Sequence, residues 1–212
     1  MTLSRILLLA AIAAGASYMA AWGLHMPPAL GVVWKGAGVG LLALYAASKA
    51  KSVDGWLLAA VMALGCAGDV LLETHGLTVG ALAFLAGHLV AIGLYLRNRQ
   101  AQITTRQWLL AGLLVPSTVA TAWSLPLDRA AAPGIALYAL GLGAMAATAY
   151  LSRFRRDRVA IGALMFLVSD QLIFARAGPL HGLAWVSDAI WILYFGGQTL
   201  IAMGVTEGLE EA

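Results

Sequence analysis

Five ionisable side chains stand inside long apolar runs of this 212-residue sequence: Lys35, Asp69, His88, Asp170 and Asp188. Carboxyl, imidazole and ammonium groups in such surroundings can hold or hand on a proton, or bind the charged part of a ligand. A charge at mid-bilayer costs at least about 2.5–3.5 kcal/mol on insertion scales, so charges that persist there usually face one another or a wet cavity. Spacing adds to the signal. Asp69 and Glu73 are four residues apart, which puts both carboxylates on one face of a helix. Tyr194 and Gln198 have the same spacing and follow Asp188 in one run, with Trp191 three residues before Tyr194. Phe84, His88 and Tyr95 share another stripe.

Each of these residues also has a plainer reading. Asp69 with Lys35 would make a buried ion pair that only fixes packing. His88 would complete an interhelical hydrogen bond. Asp188 is close enough to an interface to be solvated, and Tyr194 and Gln198 would pack or bridge. Gly36, Gly38, Gly40, Gly141 and Gly143 would allow close helix contact, and Cys66, the single cysteine, would be a small packing residue. One cysteine excludes an internal disulfide and a cysteine-based metal site. The pair that best withstands this discount is Asp69 and Asp170.

The elements that must position these groups follow from composition. The chain is 61% hydrophobic and only 11% charged, whereas soluble domains are about half apolar and about a quarter charged. Too little polar surface remains to cover a water-soluble globule of this size. In hydrocarbon, helices satisfy every backbone group internally, and these continuous apolar runs lack the period-two alternation of a membrane barrel. A span needs about 20 apolar residues. Eight spans are predicted, at about 4–24, 28–48, 54–73, 78–96, 106–124, 132–151, 159–176 and 184–205. The first is too long for a signal-peptide core of roughly 7–15 residues and reads as a retained span. No linker is long enough for a soluble domain, so residues 1–212 read as one all-α transmembrane domain.

Basic residues orient it. With the N-terminus inside, Arg5, Lys49, Lys51, Arg97, Arg99, Arg106, Arg153, Arg155, Arg156 and Arg158 are cytoplasmic, and only Arg129 and Arg176 fall outside. Both termini are then cytoplasmic, and the net charge of +3 is a topological feature that implies no nucleic-acid partner. At about 1.5 Å per residue from the outer ends, Asp69 and Asp188 lie roughly 6 Å deep, Lys35 and Asp170 roughly 10 Å, and His88 nearer 15 Å. Charges from distant parts of the sequence thus share one layer, consistent with a polar cavity opening outward among spans two, three, four, seven and eight. Gly68-Asp69 and Ser169-Asp170 each place a small residue before an aspartate on the third span of its half. That pattern suggests two parallel four-helix repeats.

Four stretches resemble the YhhN family of membrane proteins: Lys35 early in span two; Gly68-Asp69-Val70-Leu71-Leu72 with Phe84-Leu85-Ala86-Gly87-His88 and Tyr95; Gly162 to Ser169-Asp170; and Tyr194-Phe195-Gly196-Gly197-Gln198. Their order and the span count make the resemblance specific, although Gly36 follows Lys35 where the family pattern leads one to expect proline. The resemblance implies a lysoplasmalogenase. Its substrate would be a lysophospholipid with a vinyl ether bond, cleaved to a fatty aldehyde and glycerophosphoethanolamine or glycerophosphocholine. Such an ether hydrolyses through an oxocarbenium ion, as glycosides do. The reaction needs one carboxyl group protonated and one ionised, a division that burial and mutual repulsion of two aspartates can provide. On this reading Asp69 and Asp170 are catalytic and His88 orients water or a carboxylate. Lys35 holds the lipid phosphate or tunes an aspartate, Glu73 also binds the substrate, and Tyr194 and Gln198 hydrogen-bond it.

Three rivals share these residues. An intramembrane aspartyl protease also uses two aspartates, but no second protease signature is found. A zinc hydrolase would draw on His25, His75, His88 and His181, but no pair has ligand spacing on one helix, so neither metal nor cofactor is expected. A proton-coupled transporter, the main alternative, would relay protons through the same aspartates. Short loops and one cysteine suit a bacterial cytoplasmic membrane, where eight spans can pack as a monomer among membrane lipids.

Overall fold

Where water is scarce a backbone must bond to itself, and this sequence does so helix by helix. The computed structural model describes residues 2–211, and among these the ordered elements are eight α-helices and one π-helical turn. They are α1 (Leu3–Ala21), α2 (Pro28–Lys49), α3 (Val53–His75), α4 (Leu77–Arg97), α5 (Thr105–Ser124), α6 (Ala132–Leu151), α7 (Ile161–Arg176) and α8 (Trp185–Glu210), with the π-turn Arg156–Ala160 leading into α7. Among the described residues, seven of these segments are long and apolar enough to cross a membrane. The remaining helix, α5, has 20 residues. It turns Gln107 and Thr118 inward and leaves Trp108, Leu109, Leu110 and Leu113 exposed, the pattern of a helix whose outer face meets lipid. Exposed leucines and isoleucines recur on α1, α4 and α6 as well. The chain is an all-α integral membrane protein.

Helix ends follow local chemistry. Pro28 opens α2, where its missing N–H costs nothing. The Ser52 hydroxyl accepts from Gly55 N at the start of α3, and Gly76, at φ 86°, ends that helix in a conformation that suits glycine. A reciprocal capping box joins Thr104 and Gln107 at the start of α5. Most predicted boundaries shift by one or two residues, and two shift further. Helix α1 stops at Ala21, and α8 continues beyond 205 to Glu210. The extension carries part of the acidic tail, and Lys49 Nζ donates to Glu210 Oε1 at 2.6 Å.

The chain divides into two compact units, Met1–Leu94 with Val205–Ala212, and Tyr95–Gly204. In the first, α2 packs against both α1 and α3. Trp34 Nε1 donates to Ser17 Oγ at 3.0 Å, tying α2 to α1. Gly36 and Gly40 bring α2 onto α3: a Cβ at Gly36 would lie 3.0 Å from Val70 Cγ2, and one at Gly40 3.2 Å from Cys66 Sγ. The Cys66 thiol donates to the Gly36 carbonyl at 3.3 Å, as a packing residue would. In the second unit α5, α6 and α7 pack together. Gly143 lets α6 approach α5, since a Cβ there would stand 3.1 Å from Val115 Cα.

The tightest reciprocal approach joins α7 to α8. A Cβ at Gly162 would lie 2.7 Å from Gly197 O, and a Cβ at Gly197 would lie 2.6 Å from Gly162 O. Backbone meets backbone there, so no side chain can yield. Gly162→Val should therefore cost about 1–3 kcal/mol through overpacking, read as a lowered Tm in detergent. Gly112→Ala, which meets nothing within 4 Å, should leave Tm unchanged or raise it by the helix propensity of alanine, up to about 1 kcal/mol.

Candidate functional site

In the first unit α3 carries the carboxylates. Asp69 is 2% exposed. Glu73, one turn further along α3, stands at the partly exposed end, where Lys35 Nζ of α2 donates to its Oε1 at 2.6 Å. The sequence alone offered Asp69 as the ion-pair partner of Lys35; the contact drawn here is with Glu73. On α4, His88 is buried at 4% exposure. Gly68 brings α3 close to α4, because a Cβ there would lie 2.7 Å from the Phe84 ring. The stripe of Phe84 and His88 thus belongs to the helix against which the Gly68-Asp69 pair packs.

In the second unit α7 carries Asp170, 6% exposed. The Tyr138 hydroxyl, on α6, donates to Asp170 Oδ2 at 2.6 Å, and both groups are buried. The preceding residue, Ser169, is fully buried; its hydroxyl donates to Phe166 O at 2.6 Å and lies 3.4 Å from Asp170 Oδ1. One aromatic ring packs on this pair, and others pack among themselves on α7 and α8. Phe174 meets Tyr138 edge to face with centroids 6.0 Å apart. Phe166, one turn before Asp170, meets Tyr194 of α8 at 5.2 Å. Trp191 stacks on Phe195 with 7° between ring planes. Gln198 is 3% exposed, whereas Asp188 is exposed near the start of α8, as a solvated group would be.

Lys35, Asp69, Glu73 and His88 therefore share the first unit, and Asp170, Tyr194 and Gln198 share the second. The residues of both units lie in one matched stretch: the sequence profile of the YhhN family covers residues 30–205. The chain belongs to the YhhN family. It is also 32% identical over 171 residues to a protein named lysoplasmalogenase from Mycobacterium bovis, and to one of the same name from Mycobacterium tuberculosis. Each match covers 73% of this chain, and the chain spans 62% of the length of those relatives. No solved structure matches. This YhhN chain thus carries every candidate residue, Lys35 to Gln198, inside the family match.

Tyr138 escaped the sequence reading. A tyrosine in an apolar run adds no charge and little polarity. Its one signal is the phenolic hydroxyl, which needs a partner when buried. Tyr138→Phe removes the donor and leaves Asp170 Oδ2 without it. A loss of about 1–3 kcal/mol of stability is expected, measured by thermal unfolding in detergent, and Phe174 should retain its packing against the new ring.

Proposed function

We propose that this chain hydrolyses the vinyl ether bond of a lysoplasmalogen, with the carboxyl groups of Asp69 and Asp170 as acid and base. The observation that carries this reading is the likeness to two proteins named lysoplasmalogenase. The enclosed carboxyl on each unit supports it, because the chemistry needs such groups.

Cleavage begins when a carboxylic acid places its proton on the β-carbon of the alkenyl ether. The π electrons form the new C–H bond, and the ether oxygen's lone pair makes the α-carbon an oxocarbenium centre. A carboxylate stabilises that charge and takes a proton from water as the water oxygen bonds to the α-carbon. The hemiacetal then collapses: its hydroxyl proton passes to the first carboxylate as the C=O bond of the aldehyde forms, the C–O bond to glycerol breaks, and the glycerol oxygen takes the proton held by the second carboxyl. One water is consumed and both carboxyl groups regain their starting states.

In this scheme His88 orients water or a carboxylate, and Lys35, held toward Glu73, offers its ammonium group to the lipid phosphate. Tyr194 and Gln198 hydrogen-bond the substrate, and Tyr138 holds Asp170 in place. A lysolipid with one chain and a polar head suits entry from the outer leaflet of a bacterial cytoplasmic membrane, with both termini inside.

Asparagine keeps the size of aspartate and removes its proton transfer. Aldehyde release from a lysoplasmalogen should fall by at least about 100-fold in Asp69→Asn and in Asp170→Asn, with Tm close to that of the parent. Undiminished turnover in both folded variants would remove the scheme.

A further inference from the structure

The loop from α4 to α5 and the loop from α6 to α7 are stitched together in the second unit, and they are strongly basic. Arg97, Arg99 and Arg106 stand on or beside the first, and four of the six residues 153–158 are arginine; the only acid on these segments is Asp157. Arg155 already holds Asp157, with Nη2 at 2.6 Å from Oδ2. Basic loops orient a membrane protein whatever their shape. Here the shape is fixed as well.

An isolated antiparallel bridge pairs Arg99 with Ser152. Arg153 N donates to Asn98 O at 2.7 Å, and Gln100 N to Leu151 O at 3.1 Å. The Gln100 side chain is the hub. Its Nε2 donates to Ser152 O at 2.8 Å and Tyr150 O at 3.3 Å, while its Oε1 accepts from Gln107 Nε2 at 3.1 Å and Arg156 Nη2 at 3.0 Å. Both amide hydrogens and both acceptor directions are used, so the amide has one orientation. The Arg156 guanidinium lies over the Tyr150 ring, 5.2 Å from its centroid. Asn98, Gln107 and Ser152 are buried, whereas Arg99, Arg106 and Arg156 are exposed. Arg156 bonds the hub directly, and the backbones that carry Arg99 and Arg106 are the chain neighbours of Gln100 and Gln107.

We propose that Arg99, Arg106 and Arg156 form a binding site for the phosphate of an anionic phospholipid. They stand where α4 ends, where α5 begins and at the π-turn before α7, the level at which head groups meet membrane spans. Guanidinium forks match phosphate oxygens; the hub holds the Arg156 side chain and fixes the backbone beside Arg99 and Arg106. Trp108, exposed on the first turn of α5, adds an interfacial ring for the lipid backbone. The position at the ends of membrane helices points to a lipid head group as the source of the phosphate.

The test uses the full chain in detergent, with added phosphatidylglycerol, phosphatidylcholine or inorganic phosphate, and Tm as the readout. Phosphatidylglycerol should raise Tm well above the other two additives. In Arg99→Gln/Arg106→Gln/Arg156→Gln the lipid concentration needed for half the rise should increase by roughly fivefold for each arginine removed. If the triple variant fails to fold, Arg99→Gln alone, which removes none of the side-chain hydrogen bonds named above, should show the single fivefold step. Equal responses of parent and variants to phosphatidylglycerol would overturn the site. So would a full response to phosphatidylcholine or to inorganic phosphate.

Discussion

A carboxyl group carried into hydrocarbon must be enclosed by the chain that carries it, and the packing around Asp69 and Asp170 follows from that constraint. Each lies on a helix that approaches its neighbour through a glycine. Gly68 admits the Phe84 ring beside Asp69, and Gly162 admits the backbone of α8 two turns before Asp170. The polar contacts are equally local. Lys35 neutralises Glu73 at the edge of the first unit, and Tyr138 supplies a buried hydroxyl to Asp170 in the second. Neither aspartate is a surface charge that folding left behind. The cost of placing a charge or an unsatisfied oxygen in hydrocarbon explains why donors, rings and small residues gather at these positions.

The same constraint shapes the ends of the helices. Where α4 passes to α5 and α6 to α7, backbone groups leave the helices and need partners. Gln100 Nε2 donates to Ser152 O, and Asn98 O accepts from Arg153 N. Arginines on the same loops keep that end in water, so one short stretch both satisfies the backbone and holds the unit at the bilayer surface. In the first unit, α8 runs past its apolar stretch until Glu210 meets Lys49.

Much of this was legible in the residues. Continuous apolar runs and polar breaks located all eight helices, and among the described residues seven of those segments are long and apolar enough to cross a membrane. The ends were less legible. Backbone hydrogen bonding carries α8 through Glu207 to Glu210, where hydropathy has already ended, and the π-turn at Arg156–Ala160 leaves no mark on polarity. The inward faces of α5 depend on which side α6 occupies. For the site, charges in hydrocarbon stand out, so Lys35, Asp69, His88 and Asp170 were visible. Whether Lys35 meets Asp69 or Glu73 depends on the rotation of α2 against α3, which spacing alone leaves open. Tyr138 was invisible because its partner lies 32 residues away on another helix.

Protonation at carbon is the step that separates vinyl ether hydrolysis from ester or phosphodiester cleavage, and it leaves a permanent record in the product. The reaction would be run in D2O with a lysoplasmalogen, the aldehyde trapped at once by reduction, and deuterium located by mass spectrometry against undeuterated aldehyde held in the same buffer. One deuterium at the carbon next to the former aldehyde group, above the exchange control, is the predicted result. Aldehyde released without deuterium at that carbon, or no aldehyde from folded protein, would contradict carbon protonation by a buried aspartic acid.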